Sequence, residues 1–168
     1  MVELVNFQFP RTSSSSIIKV IGVGGGGCNA VSHMYEEGIA GVDFIICNTD
    51  GQAMENSPVP VKIQLGVTLT EGRGAGNQPR MGEEAARENY EDLKKVLKEN
   101  TKMLFITAGM GGGTGTGAAP VIASLARELE ILTIAVVTVP DPAEGKKRFG
   151  QAMEGIEKLG KYVDRSEE

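Results

Sequence analysis

Two glycine runs carry the residues of this chain whose types and spacing could do chemistry. The later run, Gly109-Met110-Gly111-Gly112-Gly113-Thr114-Gly115-Thr116-Gly117, sets five glycines in the seven positions from Gly111 onward. Glycine loses more conformational freedom on folding than any other residue. Such density therefore points to a backbone that must adopt positive φ and turn consecutive N–H groups into one concavity. Phosphate is the natural guest of such a cradle. Thr114 and Thr116 add hydroxyls that can donate to phosphate oxygens. No lysine follows the glycines, which excludes the G-x-x-x-x-G-K-[ST] phosphate loop and leaves a cradle made almost entirely of backbone.

The earlier run, Gly22-Val23-Gly24-Gly25-Gly26-Gly27-Cys28-Asn29, matches G-x-G-x-x-G at Gly22, Gly24 and Gly27. A tight strand-to-helix turn without any ligand satisfies the same pattern, so alone it is weak. With Asp43 about 20 residues on, it also fits an NAD-type Rossmann oxidoreductase domain, the competing reading. A single dinucleotide fingerprint needs no second phosphate cradle, and that weighs against it. The remaining candidates are plainer. His33 has no adjacent nucleophile and reads as structural or surface. Cys28 and Cys47 lack metal-ligand partners at zinc spacing and read as reduced core thiols. Asp50 and Gln52 are the candidates to approach a magnesium shell through water, and no direct metal ligands are assigned.

These residues need elements to position them. Residues 17–23 form a β-branched run that stops at glycines, which predicts a buried strand; 29–38 predict a helix and 42–48 the next strand. After a stretch punctuated by glycine and proline, 82–100 predict one charged helix, 103–108 a strand, 117–130 a helix, 132–139 a strand and 145–162 a last helix. Strands alternating with helices over this length imply an α/β domain: a mostly parallel sheet with helices on both faces and ligands at the carboxyl ends of the strands. Residues 1–16 read as a flexible, polar lead-in. The end, 165–168, reads as too charged to enter a sheet, and the pattern therefore suggests truncation at an element boundary.

Composition sets limits on function. The 168 residues suit one domain, and no run of apolar residues approaches a membrane span. Twenty-three glycines are about twice the usual share, clustered rather than periodic, which excludes collagen and linker readings. A formal charge of −5 argues against a nucleic-acid partner. Without a basic segment followed by an apolar one at the N-terminus, the expected compartment is the cytoplasm.

The residues Gly111-Gly112-Gly113-Thr114-Gly115-Thr116-Gly117 resemble the signature loop of the tubulin superfamily. From about residue 18 to 164 the chain is similar to the tubulin/FtsZ family of GTPases. Gly24 to Asn29, Asn48-Thr49-Asp50, Gly74-Ala75-Gly76-Asn77 and Glu144-Gly145-Lys146-Lys147-Arg148 occur in the family's order. The resemblance implies a Rossmann-like three-layer GTP-binding domain over residues 17–164, truncated before the family's central helix. It implies that Gly25, Gly26, Gly27 and Cys28 line a diphosphate with backbone and that Asn29 reaches the guanine or sugar. Gly112, Gly113, Thr114, Gly115 and Thr116 would wrap the phosphates. Gly74, Ala75, Gly76 and Asn77 would sense the γ-phosphate, although Asn77-Gln78-Pro79 departs from the commoner Ala-Asn-Pro. Glu144 and Arg148 would hold the ribose and base region. A carboxylate suits sugar hydroxyls, and an anion would relieve Lys146, Lys147 and Arg148 in the first turn of their helix. Asp141-Pro142-Ala143 departs from the family's aromatic-containing segment.

The implied cofactors are GTP or GDP with Mg2+, and the implied activity is GTP hydrolysis. No catalytic residue is expected within this chain, since the family's water-positioning acidic loop comes from the second domain of the next subunit. The implied partners are further copies in head-to-tail filaments and other cell-division proteins, with the membrane met only indirectly, at mid-cell in the cytoplasm. A truncated, non-catalytic modulator of assembly is the remaining alternative.

Overall fold

Six parallel strands in the order β3-β2-β1-β4-β5-β6 make one sheet in the computed structural model, which describes residues 15–167. The strands are β1 (Ile18–Val23), β2 (Asp43–Asn48), β3 (Val61–Gln64), β4 (Met103–Gly109), β5 (Leu132–Thr138) and β6 (Arg165–Glu167). The helices are α1 (Gly24–Glu36), α2 (Gln52–Glu55), α3 (Val67–Thr70), α4 (Pro79–Glu88), α5 (Tyr90–Lys98), α6 (Thr114–Glu128) and α7 (Lys146–Gly160). The sheet is wholly parallel, as expected of strand–helix alternation, because a crossover helix is what returns the chain to the same end of the sheet.

β1 is central and pairs with β2 and β4, which is why its run is buried on both faces. On one face Ile21, Val23, Ile45, Leu104 and Ile106 join Ala85, Leu93, Ala119, Ile122 and Leu125 of α4, α5 and α6. On the other, Val20, Phe44 and Ile46 pack with Cys28 and Val31 of α1. Lys19 interrupts the apolar run yet is only 2% exposed. Its ammonium donates to the Val96 carbonyl at 2.9 Å and the Glu99 carbonyl at 2.6 Å, closing the C-terminal end of α5. Burial holds its pKa below the ordinary lysine value, against the pull of Asp43 and Glu99.

Three expectations are corrected. The charged helix expected over 82–100 is two helices, α4 and α5, which meet at Asn89. Asn89 accepts from the Gly66 N–H at 2.8 Å and donates to Asp92 at 2.9 Å, local bonds that compete with helix continuation. Of the end expected to be too charged for a sheet, Arg165–Glu167 form β6, with Ile134 opposite Arg165 and Val136 opposite Glu167, and residue 168 lies outside the described residues. An edge strand pairs on one side only, so charged residues are compatible with it. The aspartate before it starts the pairing: Thr133 N–H donates to the Asp164 carboxylate, and Asp164 N–H to the Thr133 carbonyl, both at 2.8 Å. Finally, α1 and α6 begin inside the glycine runs rather than after them.

Of the expected lead-in, residues 1–14 lie outside the described residues. Ser16 donates from its N–H to Asp43 at 3.1 Å and from its hydroxyl to the Gly41 carbonyl at 2.6 Å. Cys28 and Cys47 are both buried and free. Desolvation pushes the Cys28 thiol up to about 12 and raises that of Cys47 as well, which keeps both as inert thiols at neutral pH. Among the described residues no helix is long and apolar enough to cross a membrane.

Candidate nucleotide-binding site

Both glycine runs leave the carboxyl ends of neighbouring strands, β1 and β4, and the two ends share one cavity of 530 Å³. Gly25 and Gly26 form one wall, Gly112, Gly113, Thr114 and Gly115 another, and Glu144 and Arg148 the rim. Gly109 and Met110 of the later run also line it, as do Thr138, Val139 and Pro140, which motif reading missed. The rule that ligands sit at strand carboxyl ends would have found these three, since they end or follow β5.

The electrostatics favour an anion. α1 and α6 begin at this cavity, neither has a side-chain N-cap, and neither carries an acidic residue in its first turn. Each thus presents orphan N–H donors and the positive end of its dipole to the same space. Arg148 adds a formal charge, half exposed beside Glu144, with 3.4 Å between them. The other Glu144 oxygen accepts from the Asp141 N–H at 3.2 Å, while Asp141 caps Ala143 at 2.8 Å. Asp141 therefore forms a capping box that fixes the rim carboxylate.

The glycines divide by what surrounds them. Positive φ was expected through the later run, Gly112 included; in the run only Gly111 has it, at 105°. A Cβ on Gly113 would come within 2.8 Å of the Ala75 Cβ, so that glycine admits the neighbouring loop. A Cβ on Gly25 would meet nothing within 4 Å, and one on Gly112 nothing nearer than Asn77 at 3.9 Å. No protein atom explains the missing side chain at these two positions, and both face the cavity.

The other candidate residues take separate places. Thr116 is buried and its hydroxyl accepts from the Gly111 N–H at 2.8 Å, which braces the loop. Gly27 and Cys28 are buried in α1, the thiol directed to the Cys47 carbonyl at 3.3 Å. Asn29 is exposed four residues beyond Gly25, on the same face of α1. Gly74, Ala75, Gly76 and Asn77 adjoin the glycine loop through Gly113 and Gly112 without lining the cavity. Asp50 sits beside this loop, 3.9 Å from a Cβ built on Gly74, and accepts from the Ala53 N–H with one oxygen. Gln52 is exposed at the start of α2. His33 is exposed on α1, 3.9 Å from Glu37. A larger groove of 1310 Å³ lies between α4, α6 and α7, walled by charged helix side chains.

Asp43 overturns the dinucleotide alternative. It opens β2 at the end of the sheet opposite the cavity, where one oxygen of its carboxylate, Oδ2, accepts from the Ser15 hydroxyl and the Ser16 N–H. A ribose-binding acid would have to stand at the carboxyl end of that strand.

Comparison with known proteins agrees with this geometry. The chain is 52% identical over 163 residues to the cell division protein FtsZ of Porphyromonas gingivalis, covering 96% of this chain and 36% of that protein. It is 54% identical over 159 residues to the Coxiella burnetii protein of the same name, covering 94% and 41%. It thus spans about two fifths of the length of these curated relatives. A solved structure described as an empty FtsZ dimer from M. jannaschii superposes with a TM-score of 0.87 at 44% identity, covering 91% of this chain and 44% of that one. A CetZ2 structure from Haloferax volcanii shares the fold, with a TM-score of 0.81 at 23% identity, covering 89% and 47%. The sequence profile of the Tubulin/FtsZ family, GTPase domain, matches residues 17–166, and with strand order, glycine loops and cavity in accord, the chain belongs to that family.

Proposed function

We propose that this chain is the guanine-nucleotide-holding part of a GTPase that assembles into the filaments of bacterial cell division. The observation that carries the reading is the convergence of two uncapped helix N-termini on a cavity whose walls are glycine backbone. A diphosphate suits that field, because its oxygens accept from the orphan N–H groups and its charge answers both dipoles. Thr114 and Arg148 supply the side-chain donors. Asn29 and Glu144 stand toward the nucleoside, and residues 74–77 toward the terminal phosphate.

Mg2+ belongs to the same proposal. The Asp50 carboxylate, beside the Gly74 loop, accepts from the Ala53 N–H with one oxygen and has no hydrogen bond to the other among the described residues, and a magnesium ion needs only one or two carboxylates when phosphates and water complete its shell. When bound it would neutralise phosphate charge. Self-association follows the family, whose solved members include an FtsZ dimer. Further cell-division partners, and a cytoplasmic site of action at the division plane, are part of this reading.

The test is competition binding on the purified chain with a fluorescent guanine nucleotide. GTP and GDP are expected to displace it well below the concentrations at which ATP or NAD do. Equal affinity for ATP and GTP would remove the guanine assignment.

A further inference from the structure

We propose that Thr49 is a positioning residue for the phosphate cradle, aiming the Thr114 hydroxyl proton into the cavity and tying the Gly74 loop to the same point. Thr49 follows β2, is fully buried, and does not line the cavity. Its hydroxyl oxygen lies 2.6 Å from that of Thr114, and among the described residues neither hydroxyl has another partner. A hydroxyl has one proton and can accept at its lone pairs. If Thr114 donated to Thr49, the Thr49 proton would be left without an acceptor in a place closed to water. With Thr49 as the donor, the Thr114 proton is freed toward the cavity that Thr114 lines. A phosphate oxygen there completes the chain Thr49 to Thr114 to anion, and each bond in such a chain polarises the next.

The backbone of the same residue serves the neighbouring loop. The Thr49 carbonyl accepts from the Gly74 N–H at 3.3 Å and from the Thr70 hydroxyl at 3.2 Å. Thr70 is itself buried, and its one hydroxyl proton is shared between the Thr49 carbonyl and the Gly66 carbonyl, which lies at 3.0 Å. One residue thus joins the loop of residues 72–77 to the later glycine run. It has no contact with the cavity itself, which is why residue type and spacing gave it no role.

The inference rests on the anion reading of the cavity, and inorganic pyrophosphate separates it from the guanine assignment. Thr49→Val keeps the shape and the carbonyl but removes the donor, and is expected to weaken pyrophosphate and GDP binding about tenfold. Thr49→Ser is expected to restore affinity to within about threefold. In a Thr114→Val background, Thr49→Val should add less than about twofold, since a relay acts only through its second member. In the unaltered chain, pyrophosphate should slow amide exchange at Gly74. Wild-type affinity in Thr49→Val, an undiminished effect in the Thr114→Val background, or unchanged Gly74 exchange would each overturn the relay. If the expected pattern is obtained with pyrophosphate while GDP and ADP bind alike, the relay stands and the guanine reading falls. No binding of any phosphate compound overturns both.

Discussion

The side-chain amide of Gln151 donates to two loops at once, to the Gly111 carbonyl at 2.9 Å and the Asn77 carbonyl at 3.4 Å. Gln151 lies on α7, the helix that also carries Arg148 to the cavity rim. One helix therefore sets the rim cation and the spacing between the loop of residues 74–77 and the glycine run.

Gln151→Leu should loosen that spacing without unfolding the chain, because the residue is only partly buried. Each neutral hydrogen bond contributes about 0.5–1.5 kcal/mol, so nucleotide affinity should fall roughly 3- to 10-fold. Gln151→Glu should do more harm, since a carboxylate would face two carbonyl oxygens. Calorimetric titration with GDP checks both; equal affinities across wild type and variants would show that the loops hold their own positions.

Gly111 and Gly112 should respond in opposite ways. Gly111 has φ 105°, and a Cβ there would come within 2.8 Å of the Arg148 Cγ. Gly111→Ala should therefore cost about 1–3 kcal/mol of stability, the range for a strained backbone position. Gly112 has no positive φ and open space before it, so Gly112→Val should fold with little change in melting temperature. Its isopropyl group would occupy space at the cavity wall, and affinity should drop on the order of 100-fold, about 3 kcal/mol. Thermal melts paired with nucleotide titration separate strain from obstruction. A folded Gly112→Val chain with normal GDP affinity would remove the loop from the site.

Most of the sheet was legible because buried parallel strands are short β-branched runs bounded by glycine, as in β1 and β2. The start of α6 was not. Thr114, Gly115 and Thr116 read as loop, yet they are helical. Packing is what selects this. A Cβ on Gly117 would lie 1.9 Å from the Pro79 carbonyl, so the glycines let α6 press against α4 while still coiling. β3, with only four residues and alternating Lys62 and Gln64, carried too weak a pattern to separate from its proline-rich surroundings. Within the site, the glycine runs were legible from type and spacing, and Glu144 and Arg148 were implied by the family resemblance and line the same cavity. Thr49 and Gln151 were not, because their roles depend on which carbonyls and hydroxyls the fold brings near them.

The loop that precedes Gly74 should show an acid-side pH dependence. Glu88 accepts from the Thr68 N–H at 2.7 Å and the Leu69 N–H at 3.1 Å, at the start of α3. The Thr68 N–H is the main cause that holds its carboxyl below the usual 4.5, with Leu69 adding to it and partial desolvation opposing. A depressed carboxylate contributes stability that is present above its unfolded value and lost as pH falls through its folded value. Wild type should therefore exceed Glu88→Gln in melting temperature above about pH 4.5, and the two should converge as pH falls below the lowered value. A difference that persists unchanged to the most acid pH would assign the effect to packing.

The last expectation concerns turnover: the 168-residue chain by itself should bind GTP but hydrolyse it slowly. Hydrolysis needs a water held in line with the leaving group and a residue to orient it. Glu144 is the single carboxylate that lines the cavity among the described residues, and both of its oxygens are engaged, one by the Asp141 N–H and one by Arg148. Fixed at the rim by a capping box, it is placed to accept from a sugar rather than to orient an attacking water. The relatives are more than twice as long, and we propose that the water-positioning acid lies in the part of them that this chain does not span, acting across a subunit contact. Phosphate release should accordingly be near background for the chain alone and rise when a full-length relative is added as its neighbour. Glu144→Gln should weaken nucleotide affinity and, with GTP at saturation, should still allow the added relative to raise turnover. Rapid turnover by the monomeric chain, abolished by Glu144→Gln, would place the catalytic acid inside this domain and refute the shared-site arrangement.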